Sequence, residues 1–295
     1  MTHKESKSFY WFQHIWELLK ETYVEWRKDN APQLGAALAF YTIFSLAPLF
    51  IIIIAVIGYF LGKESVQVYM TKEMTEFVGR DNAMNIMMMI EKSHNPGSGV
   101  YATILAFILM LFGSSFVVVM LKNAMNAMWG VKQYSSGIIT TIKDRLISCI
   151  IVLLLIFISF LLMISSSLLA AIKLYLSSSA PIPIIFFQAG DIIFSLLILT
   201  LIFAVLYKFL PDVTISWGDV WVGGAVTALL FTLGKIFLGS YIGRISISSA
   251  YGAAGSLVVM LLWVYYSAQI IFVGAEFTQV YAKKYGREIR PRREE

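Results

Sequence analysis

Three ionisable side chains sit where ionisable side chains are costly. Asp191, Lys235 and Glu276 each interrupt an apolar run long enough to cross a bilayer. A charge at membrane depth costs at least a few kcal/mol, so such residues mark ion pathways, proton relays or buried pairs. A helical rise of about 1.5 Å per residue puts Asp191 and Lys235 about 10 Å below one boundary, and Glu276 about 10 Å from the other. Two arrangements fit Asp191 and Lys235. They form an ion pair, or Lys235 snorkels outward while Asp191 faces a water-filled vestibule. For Glu276 the chain offers Lys122, Asn123 and Asn126 as partners. The bond is then either a structural contact between helices or part of a proton or substrate site.

The stretch AFYTIFSLAPLF, residues 39–50, adds a second kind of candidate. Pro48 removes one backbone hydrogen bond and crowds the carbonyl of Phe44. Membrane helices tolerate this when a hydroxyl or a neighbouring helix satisfies the freed groups. Thr42 and Ser45 are near enough along the helix to help. Ser45 and Pro48 fall close to the bilayer midplane and so join the pathway candidates. A kink that serves packing alone fits equally well.

These residues need apolar helices to hold them. The chain has 295 residues, 58% hydrophobic and 14% charged, against about 25% charged in an average soluble domain. A bilayer core of about 30 Å needs roughly 20 apolar helical residues. Six segments qualify, at about 35–61, 101–121, 147–171, 184–207, 220–242 and 255–281. The expected fold is all-α: a polytopic membrane protein with six transmembrane helices and an amphipathic N-terminal helix. Residues 1–33 form an arm, 34–282 the membrane domain and 283–295 a basic tail. The arm, the second and fourth loops and the tail hold sixteen of the 23 Lys and Arg; the opposite side holds six, and Lys235 lies within a span. That asymmetry predicts both termini in the cytoplasm.

In the arm, Phe12, Ile15, Trp16, Leu19, Tyr23 and Trp26 recur at spacings of three and four, which makes one helix face. Trp-rich amphipathic helices lie in the headgroup layer. Trp11, Trp16, Trp26 and, beyond the second span, Trp129 are therefore the expected interface anchors. Packing on the protein's own cytoplasmic face is the competing reading of this helix. Asp29-Asn30-Ala31-Pro32 breaks it before the first span. The arm lacks a smooth apolar core and a small-residue cleavage site, so it reads as retained rather than as a signal peptide. In the first outer loop, VQVYMTKEMTEFVGR and AMNIMMMIEK predict two short amphipathic helices. The Met87-Met88-Met89 run reads as packing rather than metal binding. No metal or other cofactor is expected. The glycines of GGAVTALLFTLGKIFLGSYIG, residues 223–243, predict close helix approach, inside the protein or between copies of it. With Cys149 alone, an intramolecular disulfide is impossible.

Three stretches in this order are familiar together: GAALAFYTIFSLAPLF, NAMNAMWGV and SAYGAAGSLVVMLLWVYYSAQIIFVGAEFTQVYAKKYG. Over about residues 30–285 the chain resembles the YihY/virulence factor BrkB family. The resemblance implies six transmembrane helices in a bacterial inner membrane. It also implies a poorly defined role in transport or envelope maintenance. An older label for the family is ribonuclease BN. The residues speak against that label, because a metal-dependent nuclease needs clustered His, Asp or Glu to activate water. The only histidines are His3, His14 and His94, and they do not cluster. Nor is there a soluble basic face interleaved with aromatics for RNA. Anionic lipid headgroups account for the basic tail. The expectation is a non-enzymatic translocator of a small solute, ion or lipid. The alternative is an envelope protein that contacts lipid and moves nothing.

Overall fold

A computed structural model describes residues 2–93, 117–131, 150, 184–242, 253–285 and 289–291. Helix α1 is Thr2–Lys28 and α2 is Ala31–Leu61. Helices α3, Lys63–Val78, and α4, Arg80–Ser93, follow. The next described helix is α5, Val117–Met128. Helix α6, Ile184–Phe209, precedes strand β1, Val213–Thr214. Helices α7, Trp217–Ile242, and α8, Ala253–Lys284, lead to strand β2, Arg290–Pro291.

Segments of three of these helices are long and apolar enough to cross a membrane: Ile192–Phe209, Trp217–Leu238 and Gly255–Lys284. They match the fourth, fifth and sixth spans expected from sequence. Helix α2 occupies the place of the first. Most of the expected spans 101–121 and 147–171 lies outside the described residues, as do Gly243 and the start of the loop SISSAYGAAGS. The last residues of that loop, Ala253–Ser256, open α8.

A two-residue elbow joins α1 to α2. Asn30 there adopts the left-handed conformation, φ 52° and ψ 35°. Asn is among the few residues other than Gly that accept it readily. The Asp29 N–H donates to the Glu25 carbonyl at 2.9 Å, which finishes α1. The Gln33 N–H donates to the Asn30 carbonyl at 2.9 Å, which starts α2. Pro32 stands in the first turn of α2, where its missing N–H breaks no intrahelical bond. Downstream, α2 runs through Pro48 without interruption. The Thr42 hydroxyl donates to the Leu38 carbonyl at 2.7 Å, six residues before the Phe44 carbonyl that Pro48 frees. The side chains of Ser45 and Pro48 lie outside the described residues.

The two short amphipathic helices expected after the first span are α3 and α4. Gly62 and Gly79, with φ of 87° and 81°, make the sharp breaks that set them off. Val66 and Met70 of α3, and Ala83 and Ile86 of α4, are buried. They hold the pair against α2, α7 and α8.

Glycine sets how closely the long helices approach. Helix α6 packs on α7, α7 on α8, and α8 on α2. A Cβ on Gly224 of α7 would lie 2.7 Å from the carbonyl oxygen of Thr200 and 2.9 Å from the backbone nitrogen of Ala204, both on α6. Gly223 of α7 faces Thr278 of α8, and Gly274 of α8 faces Thr227 and the Tyr207 hydroxyl. Gly35 of α2 faces Gln269 of α8. Small residues that let backbones touch drive association where lipid removes the hydrophobic drive. Backbone cannot step aside as a side chain can. Gly224→Val should therefore cost about 1–3 kcal/mol by overpacking, read as a lower unfolding temperature in detergent. Gly190→Ala on α6, where an added Cβ meets no atom within 4 Å, should change stability by no more than about 0.5 kcal/mol.

Candidate functional site

Along most of a membrane helix one face meets lipid. From Gly274 to Val280, α8 has no such face, and every residue is buried. A helix enclosed on all sides is normally apolar throughout. This segment instead carries Glu276, Thr278 and Gln279. Glu276 is 0% exposed. Among the described residues, neither of its carboxylate oxygens has a hydrogen-bond donor.

Near Glu276 lies another carboxyl. Asp29, in the elbow between α1 and α2, is close enough for the two charges to influence each other. Two ionised carboxylates offer only acceptors, so a hydrogen bond between them forms only when one of them carries a proton. Burial pushes the Asp29 carboxyl above its ordinary value, and the nearby charge of Glu25 adds to the effect. Its interaction with Glu276 and the positive charges of Lys28 and Lys283 oppose it. Glu25 itself pairs with Lys28 at 2.9 Å.

The surrounding contacts draw four separate segments to this end of the bundle. Trp129, just past α5, donates its indole N–H to the Ala275 carbonyl at 3.2 Å. Lys122 of α5 lies 3.0 Å from Asp212, in the turn after α6. Asn126 clamps the same turn twice: its amide donates to the Asp212 carboxylate at 3.0 Å, and its carbonyl accepts the Asp212 N–H at 2.8 Å. Tyr207 of α6 donates to the Ile271 carbonyl at 2.9 Å and contacts the Thr227 hydroxyl at 2.9 Å. Strands β1 and β2 pair antiparallel, Val213 with Pro291 and Thr214 with Arg290. Lys208 donates to the Ile215 carbonyl and lies 5.6 Å from the Trp217 ring.

Helix α1 lies along this end with two distinct faces. Leu18 packs with Phe277 and Val280 of α8. The Trp26 indole donates to Gln269 at 3.1 Å, and Gln269 donates to the Ala31 carbonyl at 3.3 Å. Lys284 pairs with Glu17 at 2.9 Å, which holds the Glu17 carboxyl below its ordinary value. Trp16, Leu19 and Tyr23 point outward, Trp16 at 64% exposure. Exposed Lys20 and Arg27 border that stripe.

Several expectations change here. Lys122 and Asn126 serve Asp212 rather than Glu276, while Asn123 is half-buried. Trp129 is not at an interface; it is 6% exposed and bonded inside the bundle. Trp26 turns inward too, because α1 has a protein neighbour on that side. Lys235 is half-buried on α7. The side chains of Trp11 and Asp191 lie outside the described residues. The partner that sequence reasoning missed is Asp29, which reads as a helix breaker until the elbow is folded. Asp212 and Gln269 were missed for the same reason, since each acquires its role only across elements.

Residues 22–295 match the model of a family described as virulence factor BrkB. A UPF0761 membrane protein of Ralstonia nicotianae is 24% identical over 256 residues, covering 84% of this chain and 55% of the relative. One from Paraburkholderia xenovorans is 25% identical over 255 residues, covering 84% of this chain and 56% of the relative. A UPF0761 membrane protein of Yersinia pestis is 39% identical over 87 residues, 29% of this chain and 30% of the relative. The chain thus spans little more than half the length of the first two relatives. No solved structure matches it. On the family match over most of its length, the chain belongs to the virulence factor BrkB family of membrane proteins.

Proposed function

We propose that the protein is a six-span translocator of a small solute, ion or lipid in a bacterial inner membrane, with both termini in the cytoplasm and no enzymatic activity. The observation that carries the reading is Glu276: an ionisable group sealed among helices, with no donor for either oxygen among the described residues. A purely structural bundle has no use for such a group, because an apolar residue of similar size packs there at lower cost. The meeting of the arm, the α5 end, the β1 turn and the β2 tail at one end supports the expected topology, in which all four share a side. Asp191, Lys235, Ser45 and Pro48 remain pathway candidates on the basis of depth. Flux into proteoliposomes, screened over ions, osmolytes and lipids, tests the reading. Glu276→Gln should lower the rate at least tenfold for the substrate found. Flux at the wild-type rate would remove Glu276 from the pathway. Pro48→Ala should alter flux if the proline belongs to the route, and stability alone if it serves packing.

A second reading rests on the outward stripe of α1. Trp16, Leu19 and Tyr23 bordered by Lys20 and Arg27 suit the headgroup layer of an anionic membrane. A non-transporting, lipid-organising envelope protein would be built this way. Native mass spectrometry separates the two: Trp16→Ser combined with Lys20→Gln should strip retained anionic lipid. Unchanged retention in that variant would dismiss the lipid role of α1.

A further inference from the structure

We propose that the groove between α3 and α4 binds an anionic phospholipid whose headgroup carries free hydroxyls, as that of phosphatidylglycerol does. The groove lies on other elements than Glu276 and the outward stripe of α1. It therefore holds for either reading above.

The break at Gly79, with φ 81°, turns the chain so that α3 and α4 pack together. One side of the pair is committed to the core through Val66, Met70, Ala83 and Ile86. The other side leaves an open groove of about 690 Å³.

The charges on its walls favour an anion at one end. Lys72 of α3 and Arg80 of α4 both line it. Among the described residues, neither has an ion-pair or hydrogen-bond partner. Glu64 is the one carboxylate among the described lining residues. It stands two turns before Lys72, about 12 Å away by helical rise. Glu64 therefore fixes which end of the groove takes the negative group. Asp81, next to Arg80, is exposed but does not line the groove.

The hydroxyls narrow the headgroup. Thr71 donates to the Gln67 carbonyl at 2.8 Å, and Thr75 to the Thr71 carbonyl at 2.7 Å. A hydroxyl has one proton, so both oxygens are left as acceptors only. They have nothing to donate to a phosphate, whose donors must come from Lys72 and Arg80 as charge-assisted bonds. What the threonines can take is an O–H of the ligand. A glycerol headgroup supplies such donors, and a choline headgroup has none.

The apolar part of the groove points to a lipid rather than a free phosphate. Val68 is 70% exposed and Met84 49%, on the side of the pair that amphipathic patterning would leave polar. Helix α2, the first expected span, ends on Tyr59 and Phe60, both strongly exposed, and α3 begins at Lys63. Aromatic residues at a span end mark the headgroup level. The groove thus opens beside the level where phospholipid headgroups lie, and an acyl chain covers Val68 and Met84.

An environment-sensitive fluorophore at Gln67→Cys reports occupancy of the groove, in the full chain with Cys149→Ser and a neutral detergent. The probe is dihexanoyl phosphatidylglycerol below its micelle concentration, and the expected response is saturable. Lys72→Gln combined with Arg80→Gln should weaken binding at least about tenfold. Both positions are exposed, so the unfolding temperature should not change. Val68→Ser combined with Met84→Ser should weaken binding about tenfold and tests the apolar half independently. Dihexanoyl phosphatidylcholine lacks the hydroxyls and glycerol phosphate lacks the acyl chains. Each should bind at least about tenfold more weakly than the probe. An absent or non-saturable response, or unchanged affinity in both double variants, would overturn the site. Equal binding of phosphatidylcholine or of glycerol phosphate would overturn it as well.

Discussion

The enclosed segment of α8 constrains everything around it. Between Gly274 and Val280 every residue is enclosed by protein, so no side is open to accommodate a misfit. Each neighbour must therefore bring a small residue or a matched polar group. Helix α7 brings Gly223 against Thr278 and the Thr227 hydroxyl against Gly274. The Trp129 indole reaches the Ala275 carbonyl, and Tyr207 reaches that of Ile271. An indole or phenol that bonds a helix carbonyl fixes depth and rotation as well as distance. Among the described residues, both Glu276 oxygens and the side-chain oxygen of Gln279 are the acceptors in this segment that no neighbour supplies with a donor.

Much of this was legible before any coordinates. The helices α2, α6, α7 and α8 follow directly from apolar length, and α3 and α4 from the pattern VQVYMTKEMTEFVGR and AMNIMMMIEK. Glu276 stood out because a lone carboxylate in an apolar run has few innocent explanations. Its partner did not, because Asp29 sits 247 positions away in a polar stretch that any sequence pattern reads as a break. Likewise Trp129 looked like an interface residue, since Trp near a span end usually is. Its burial depends on α8 passing close by, which no local pattern encodes.

Helix α1 shows how one periodicity conceals two functions. Apolar positions at spacings of three and four suggested a single face. The fold separates them into an inner side, with Leu18 and Trp26 against α8, and an outer side with Trp16, Leu19 and Tyr23. Glu17 reaches across to Lys284 of α8 and Glu25 pairs within α1 with Lys28, while Lys20 and Arg27 border the outer stripe. The arm is thus both a cover for the bundle end and a surface suited to headgroups. Its amphipathic pattern alone does not distinguish the two roles.

The short β1–β2 ladder has a mechanical meaning beyond tidying the tail. It ties the chain after α8 to the turn after α6, while Glu17 holds Lys284 at the end of α8 itself. A rod gripped near one end at two points resists twisting about its own axis yet still yields to tilt. Any rearrangement of α8 is thereby biased towards a lever stroke pivoting at this end, with its largest excursion at the far end, where Ala253 begins the helix.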